Sequence, residues 1–78
     1  MLEHRTIAKK LLKKSSRSNY FEIVNEVKLS PEEERIINAR FLDKKLINEI
    51  ADEENCSEKR IKGIISNAYD RVYELLYN

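Results

Sequence analysis

The sequence predicts an all-α fold, a small bundle of helices. Its 78 residues contain one glycine and one proline, so few positions interrupt a helix. Apolar residues recur three and four positions apart along much of the chain, which is the spacing of helices rather than of strands. With 41% hydrophobic and 37% charged residues, the composition indicates one small folded domain and not a disordered tail.

The first 17 residues form a basic segment, which we expect to be an arm or helix preceding a domain over residues 18–78. Six lysines and arginines stand there against one acid, Glu3, although the net charge of the whole chain is only +1. Ile7 and Leu11 are four positions apart, as are Ala8 and Leu12. This spacing predicts an amphipathic helix over residues 2–14 with a narrow apolar stripe.

A second, short helix is predicted after the polar break "SSRSN" at residues 15–19. Ser18 or Asn19 is expected to cap its start, because both side chains accept hydrogen bonds from free backbone N–H groups. Its expected apolar positions are Tyr20, Phe21, Ile23, Val24 and Val27.

The stretch "LSPEEER" at residues 29–35 predicts the start of a third helix. Ser30 and Glu33 have the spacing of a capping box, and Pro31 occupies the first helical position. Leu29 is expected to pack back on the helix, which should end near Asp43.

The last two helices are predicted to form a helix-turn-helix. "LINEIADEEN" at residues 46–55 is a short helix with inward Leu46, Ile47, Ile50 and Ala51. Asn55 suits the left-handed turn, Cys56 fits a small core position, and Ser57 caps a helix that runs to Tyr77.

The final helix separates an apolar side from a polar one. Its apolar sector contains Ile61, Ile64, Ile65, Ala68, Val72, Leu75 and Leu76. Lys59, Lys62, Gly63, Ser66 and Asn67 lie on the other side. Cations at a helix N-terminus are unfavourable by a few tenths to about 1 kcal/mol each, and a bound phosphate would reverse that cost. The alternative interpretation is that this polar side of the last helix is simply solvated and binds no ligand.

"LSPEEERIINARF", followed by "INEIADEENCSEKRIKGIISNAYDRVYELL", resembles region four of sigma-70 type bacterial sigma factors. The resemblance covers roughly residues 20–77; quorum-regulator proteins of the LuxR/GerE type are similar over shorter stretches. It implies a domain that reads an upstream promoter hexamer and docks on RNA polymerase. It would place Glu58, Lys59, Lys62 and Gly63 in the major groove, with Arg60 towards phosphates.

The residues expected to bind DNA are Lys44, Lys45, Ser57, Glu58, Lys59, Arg60, Lys62, Gly63, Ser66 and Asn67. The chain departs from the family's pattern at two positions, since Arg and Gln are common where Glu58 and Gly63 stand. It departs from the general helix-turn-helix pattern at Glu54, where a buried apolar residue is usual.

These observations support a free-standing DNA-binding transcription regulator. Its expected partner is double-stranded DNA. RNA polymerase or a companion sigma subunit is a further candidate partner. Residues 1–19 contain nothing that could melt a promoter, so a second protein is expected to supply that function. The alternative is an interaction module that grips RNA polymerase or a sigma factor without specific DNA binding.

Two segments have several interpretations. The basic N-terminal segment is an arm on the DNA backbone, a helix packed on the domain or, less favoured, a helix on a membrane surface. Tyr69, Tyr73 and Tyr77 recur every four residues beside the core sector. They are expected to form a core margin, which could also bury a second copy of the chain.

Other functions are not expected. Cys56 is the sole cysteine and His4 has no partner at ligand spacing, so neither a disulfide nor a metal site is predicted. No catalytic set, phosphate loop or cofactor motif is present. No apolar run approaches the roughly 20 residues of a membrane span, and a cytoplasmic location is expected.

Overall fold

The computed structural model describes residues 4–77, which fold into five helices with no strand among them. The helices are α1 (His4–Lys14), α2 (Arg17–Val27), α3 (Pro31–Phe41), α4 (Ile47–Glu54) and α5 (Glu58–Tyr77). The all-α prediction is confirmed. The predicted start of the first helix at residue 2 lies outside the described residues.

The 20-residue helix α5 is the centre of the bundle, and each of the other four helices packs against it. All five helices contribute to a single core. Its buried residues are Ala8, Leu12, Tyr20, Val24, Ile36, Ile37, Phe41, Ile50, Ala51, Ile61, Ile65, Ala68, Tyr69 and Val72. Burying these side chains on one side of α5 leaves the other side of the helix free for contacts outside the protein.

The basic N-terminal segment forms a helix that packs along α5. Ala8 and Leu12 are buried in the common core. Arg5 donates two hydrogen bonds to Asp70, from Nε to Oδ1 at 2.9 Å and from Nη2 to Oδ2 at 3.0 Å. The apolar stripe of α1 is therefore covered by its own protein.

The second helix begins earlier than the sequence predicted. Ser16 is its N-cap, and its Oγ accepts the backbone N–H of Asn19 at 3.2 Å. The expectation that Ser18 or Asn19 would cap α2 is wrong, because both lie inside its first turn. Tyr20 and Val24 are buried as expected, but Phe21 is 40% exposed and does not belong to the core.

The capping box of α3 is confirmed. The N–H of Glu33 donates to Ser30 Oγ at 3.2 Å, and the N–H of Ser30 donates to Glu33 Oε1 at 3.0 Å. Pro31 occupies the first helical position. The helix ends at Phe41, two residues before the expected Asp43, and Arg40 Nη1 then donates to the carbonyl of Lys45 at 2.8 Å. That bond ties the connection after α3 to the helix.

Three leucines expected in the core are exposed. Leu46 is the N-cap of α4 and is 59% exposed, while Leu75 and Leu76 are 39% and 43% exposed. Their spacing matches the apolar face of each helix. At the end of α5, Ile23 of α2 borders an open groove with Leu75 and Leu76, so the neighbouring helix covers these two leucines only in part.

The capping box predicts how stability depends on pH. Hydrogen bonds from Ser30 and the nearby Arg71 hold the pKa of Glu33 below its usual value of 4.5. A lowered folded pKa gives stability that is present above the unfolded pKa and is lost as pH falls through the folded pKa. The Glu33→Gln variant keeps a capping side chain without the charge. Urea unfolding should show it less stable than the parent at about pH 7, and the difference should shrink as the pH falls below 4.5. A difference that does not change with pH would contradict this origin.

Candidate nucleic-acid interface

The turn between α4 and α5 consists of Asn55, Cys56 and Ser57. Asn55 adopts the predicted left-handed conformation, with φ 56° and ψ 48°. Its N–H donates to the carbonyl of Asp52 at 3.2 Å, and the N–H of Cys56 donates to the carbonyl of Ala51 at 3.0 Å. These bonds satisfy the free carbonyls at the end of α4 and fix the direction in which the chain leaves it.

The start of α5 is capped and anchored. Ser57 Oγ accepts the N–H of Arg60 at 3.2 Å, as predicted. Ile61, one turn into the helix, is fully buried, and Cys56 packs against the core while remaining half-buried. The first turns of α5 therefore have a fixed orientation relative to α4.

The outer face of this helix start is exposed and partly cationic. Glu58, Lys59, Lys62, Gly63 and Asn67 are exposed, and Ser66 is half-buried. Apart from Gly63 itself, its two chain neighbours and the nearby backbone of its own helix, no heavy atom lies within 4 Å of the position that a Cβ on Gly63 would take. Lys59 and Lys62 form no ion pair among the described residues. The polar face expected from the helical wheel is thus an open surface.

Arg60 does not extend freely into solvent. Its Nη2 donates to Glu32 Oε1 at 2.9 Å and lies 3.2 Å from Oε2, so the first turn of α3 holds it. Both side chains are about half exposed, at 56% for Arg60 and 45% for Glu32. Sequence reasoning missed this acid, because no local spacing connects residues 28 positions apart.

Two further ion pairs connect α3 to its neighbours, one to α4 and one to α5. Arg35 Nε donates to Glu54 Oε2 at 2.9 Å, and Arg71 Nη1 donates to Glu33 Oε1 at 3.0 Å. The hydrogen bond from Arg35 holds the pKa of Glu54 below its usual range. The side chain of Glu54 is only 17% exposed, so the arginine compensates a carboxylate at the position where an apolar residue was expected.

The two lysines of the connection after α3 differ in their surroundings. Lys45 Nζ donates to Glu53 Oε2 at 2.6 Å, and this bond raises the pKa of Lys45. Lys44 is exposed, has a left-handed φ of 57° and forms no ion pair within residues 4–77. The structure thus leaves one of the two side chains available to an external anion.

The three tyrosines of α5 do not form one exposed stripe. Tyr69 is buried, with its ring centroid 6.0 Å from that of Phe41, and burial raises the pKa of its hydroxyl. Tyr73 and Tyr77 stack on each other at 4.7 Å. The structure gives no support to a homodimer through this set.

Neither a metal cluster nor a membrane-spanning helix is found among the described residues. Within residues 4–77, no group of three or more His, Cys, Asp and Glu side chains could hold a metal ion. No helix in the same range has the length and apolarity needed to cross a membrane.

A comparison with protein families matches residues 27–74 to the family described as Sigma-70, region 4. The chain belongs to the sigma-70 region 4 family. Comparisons with curated proteins and with solved structures gave no match. The family assigns the chain a DNA-binding helix-turn-helix and confirms the resemblance seen in the sequence.

The matched region 4 segment coincides with the site just described. It contains all of α3 and α4 and α5 up to residue 74, whereas α1 and most of α2 precede it. The three ion pairs among α3, α4 and α5 lie within the match. The pair between Arg5 and Asp70 connects the region 4 segment to the helix outside it.

Gly63 provides a test of how open this surface is. A glycine inside a helix costs about 1 kcal/mol relative to alanine, and a Cβ here would meet nothing. Gly63→Ala should therefore stabilise the protein by about 1 kcal/mol, which raises Tm by about 4–8 °C in a domain of this size. Lys62→Ala, one position away and equally exposed, is the control and should change Tm little. An unchanged or lower Tm for Gly63→Ala would show that the position is crowded.

Proposed function

We propose that this chain is a DNA-binding transcription regulator that inserts the start of α5 into the major groove of promoter DNA. The observation that carries the proposal is the exposed, capped start of α5 in a region 4 helix-turn-helix, where Lys59 and Lys62 form no ion pair within the described residues. The second helix of such a motif contacts base edges with its N-terminal residues, while the first helix crosses the backbone.

The charge at the helix start favours an anionic partner. Lys59 and Lys62 lie in the first turns of α5, near the positive end of the helix dipole, and neither forms an ion pair within the described residues. Glu58, which directly precedes Lys59, offsets part of this positive charge. Each such cation is unfavourable by a few tenths to about 1 kcal/mol. DNA phosphates relieve this cost, and the release of counterions adds further affinity.

The residues of the outer face divide into two roles. The groups proposed to bond base edges belong to Glu58, Lys59, Lys62, Ser66 and Asn67, and the absent side chain of Gly63 lets the backbone approach the bases closely. The groups proposed to contact phosphates, and so to position the helix, belong to Lys44, Ser57 and Arg60. Lys45 would join them only on leaving Glu53. Because Glu58 and Gly63 replace the family's common Arg and Gln, the preferred site should differ from a standard promoter hexamer.

An interaction module without specific DNA binding is the second candidate. The acid Glu58 at the start of α5 and the exposed Leu75 and Leu76 at its end favour it. RNA polymerase or a companion sigma subunit would be its partner. In either case, we propose that another protein supplies promoter melting. Titration of labelled duplex DNA at low salt separates the two candidates, since only the first requires binding.

Reversing the charge of the helix start should abolish DNA binding. Lys59→Glu with Lys62→Glu removes two cations and adds two acids, so no binding to duplex DNA should be measurable even at low salt. Both side chains are exposed, so the melting curve should stay close to that of the parent.

The single variants Lys62→Glu and Lys10→Glu form a matched pair, because Lys10 is exposed on α1 between the buried Ala8 and Leu12. Equal effects of these two variants would refute the assignment of α5.

Releasing Arg60 should strengthen DNA binding. Glu32 competes with DNA phosphates for this guanidinium, and an exposed ion pair is worth up to about 1 kcal/mol. Glu32→Gln should therefore raise the affinity for duplex DNA by up to about fivefold and steepen the salt dependence. Glu26→Gln changes the net charge equally at an exposed position of α2 and is the control. The same gain in both variants would show that only net charge matters.

A further inference from the structure

A basic surface lies outside the helix-turn-helix, where the end of α1 and the start of α2 meet the connection after α3. One open groove of about 360 Å³ is lined by Lys13, Arg40, Phe41 and Lys44. An adjoining groove of about 220 Å³ shares Lys13, Phe41 and Lys44 and adds Arg17. We call Lys13, Arg17, Arg40 and Lys44 the basic groove.

The fold holds these four cations together. Phe41 is buried beside them, with its ring 6.3 Å from Tyr20 and 6.0 Å from Tyr69. The buried Ala8 and Leu12 fix α1, which carries Lys13. The left-handed conformation of Lys44 turns the connection after α3 beside them. The basic groove is therefore assembled by packing and is not a chance cluster on one flexible segment.

No acid of the described chain neutralises the basic groove. Neither groove has an acidic residue in its lining, and Lys13, Arg17 and Lys44 form no ion pair within residues 4–77. The nearby acids Asp43 and Glu53 line a different groove together with Lys45. Three cations line each of the two adjoining volumes, and like charges held this close repel each other and attract an anion.

Duplex DNA is the anion that fits this position best. Lys44 lies three residues before α4, the first helix of the motif, and that helix crosses the DNA backbone. We propose that the basic groove binds the phosphate backbone of the duplex next to the bases read by α5. This inference rests on the proposed function. Lys13 and Arg17 precede the matched residues 27–74, so this contact surface extends the region 4 module.

The test uses two double variants of the full chain. Lys13→Gln with Arg17→Gln removes two cations of the basic groove, and Lys10→Gln with Lys14→Gln removes two cations of α1 that do not line it. Both pairs have the same spacing, and all four residues are exposed, so melting curves should remain unchanged. Deleting α1 would remove the buried Ala8 and Leu12 from the core and is not equivalent.

The measurement is the affinity for a duplex of about 30 base pairs in a salt series. The groove variant should reduce the slope of log affinity against log salt by about 1.8. Raising the salt from about 50 to 200 mM should therefore lower its affinity about tenfold less than it lowers that of the parent. It should leave the ranking of different duplex sequences unchanged, because phosphate contacts position and do not specify. The control variant should keep the parent slope.

Several results would overturn the inference, and they are distinguishable. If the parent binds and both double variants lose slope equally, the effect is general electrostatics. If the groove variant binds DNA like the parent but loses a complex with purified core RNA polymerase, the groove docks a protein. If the parent does not bind DNA at low salt, the proposed function fails and this inference fails with it.

Discussion

The burial of one side of α5 is the constraint on which the rest of the structure depends. Ile61, Ile65, Ala68 and Val72 face the core, and the other four helices pack around this long helix. Because a helix repeats every 3.6 residues, burying this side turns the opposite side of the first turns outward. The core and the candidate DNA surface are thus two faces of one helix, and neither can shift without the other.

Ion pairs around the first turn of α3 orient the motif more than they stabilise it. Exposed pairs contribute about 0–1 kcal/mol each, so those of Arg60 and Arg71 with α3 are weak individually. Together with the Arg35–Glu54 pair they connect α3, α4 and α5. The Arg60 pair has a second consequence, because a side chain held this weakly can leave Glu32 for a phosphate. Arg60 can then pair with Glu32 in the free protein and with a phosphate in the DNA complex.

Local features were predictable from the sequence, and contacts between distant segments were not. The Ser30 capping box, the left-handed Asn55 and the Ser57 cap depend on neighbouring residues and are confirmed. The start of α2 was misplaced because several adjacent residues are equally good caps. Leu46, Leu75 and Leu76 were misjudged because periodicity identifies an apolar face and not whether another element covers it. The Glu32–Arg60 pair and the basic groove join residues far apart in sequence, so no spacing could reveal them.

The central claim is that the start of α5 is the surface that meets DNA. Chemical-shift mapping of the labelled full chain with duplex DNA at low salt tests it most directly. We expect the largest amide shifts at residues 57–67, smaller ones around Lys44, and none at Leu75 and Leu76. Shifts concentrated at the end of α5, or spread evenly over all five helices, would contradict the claim.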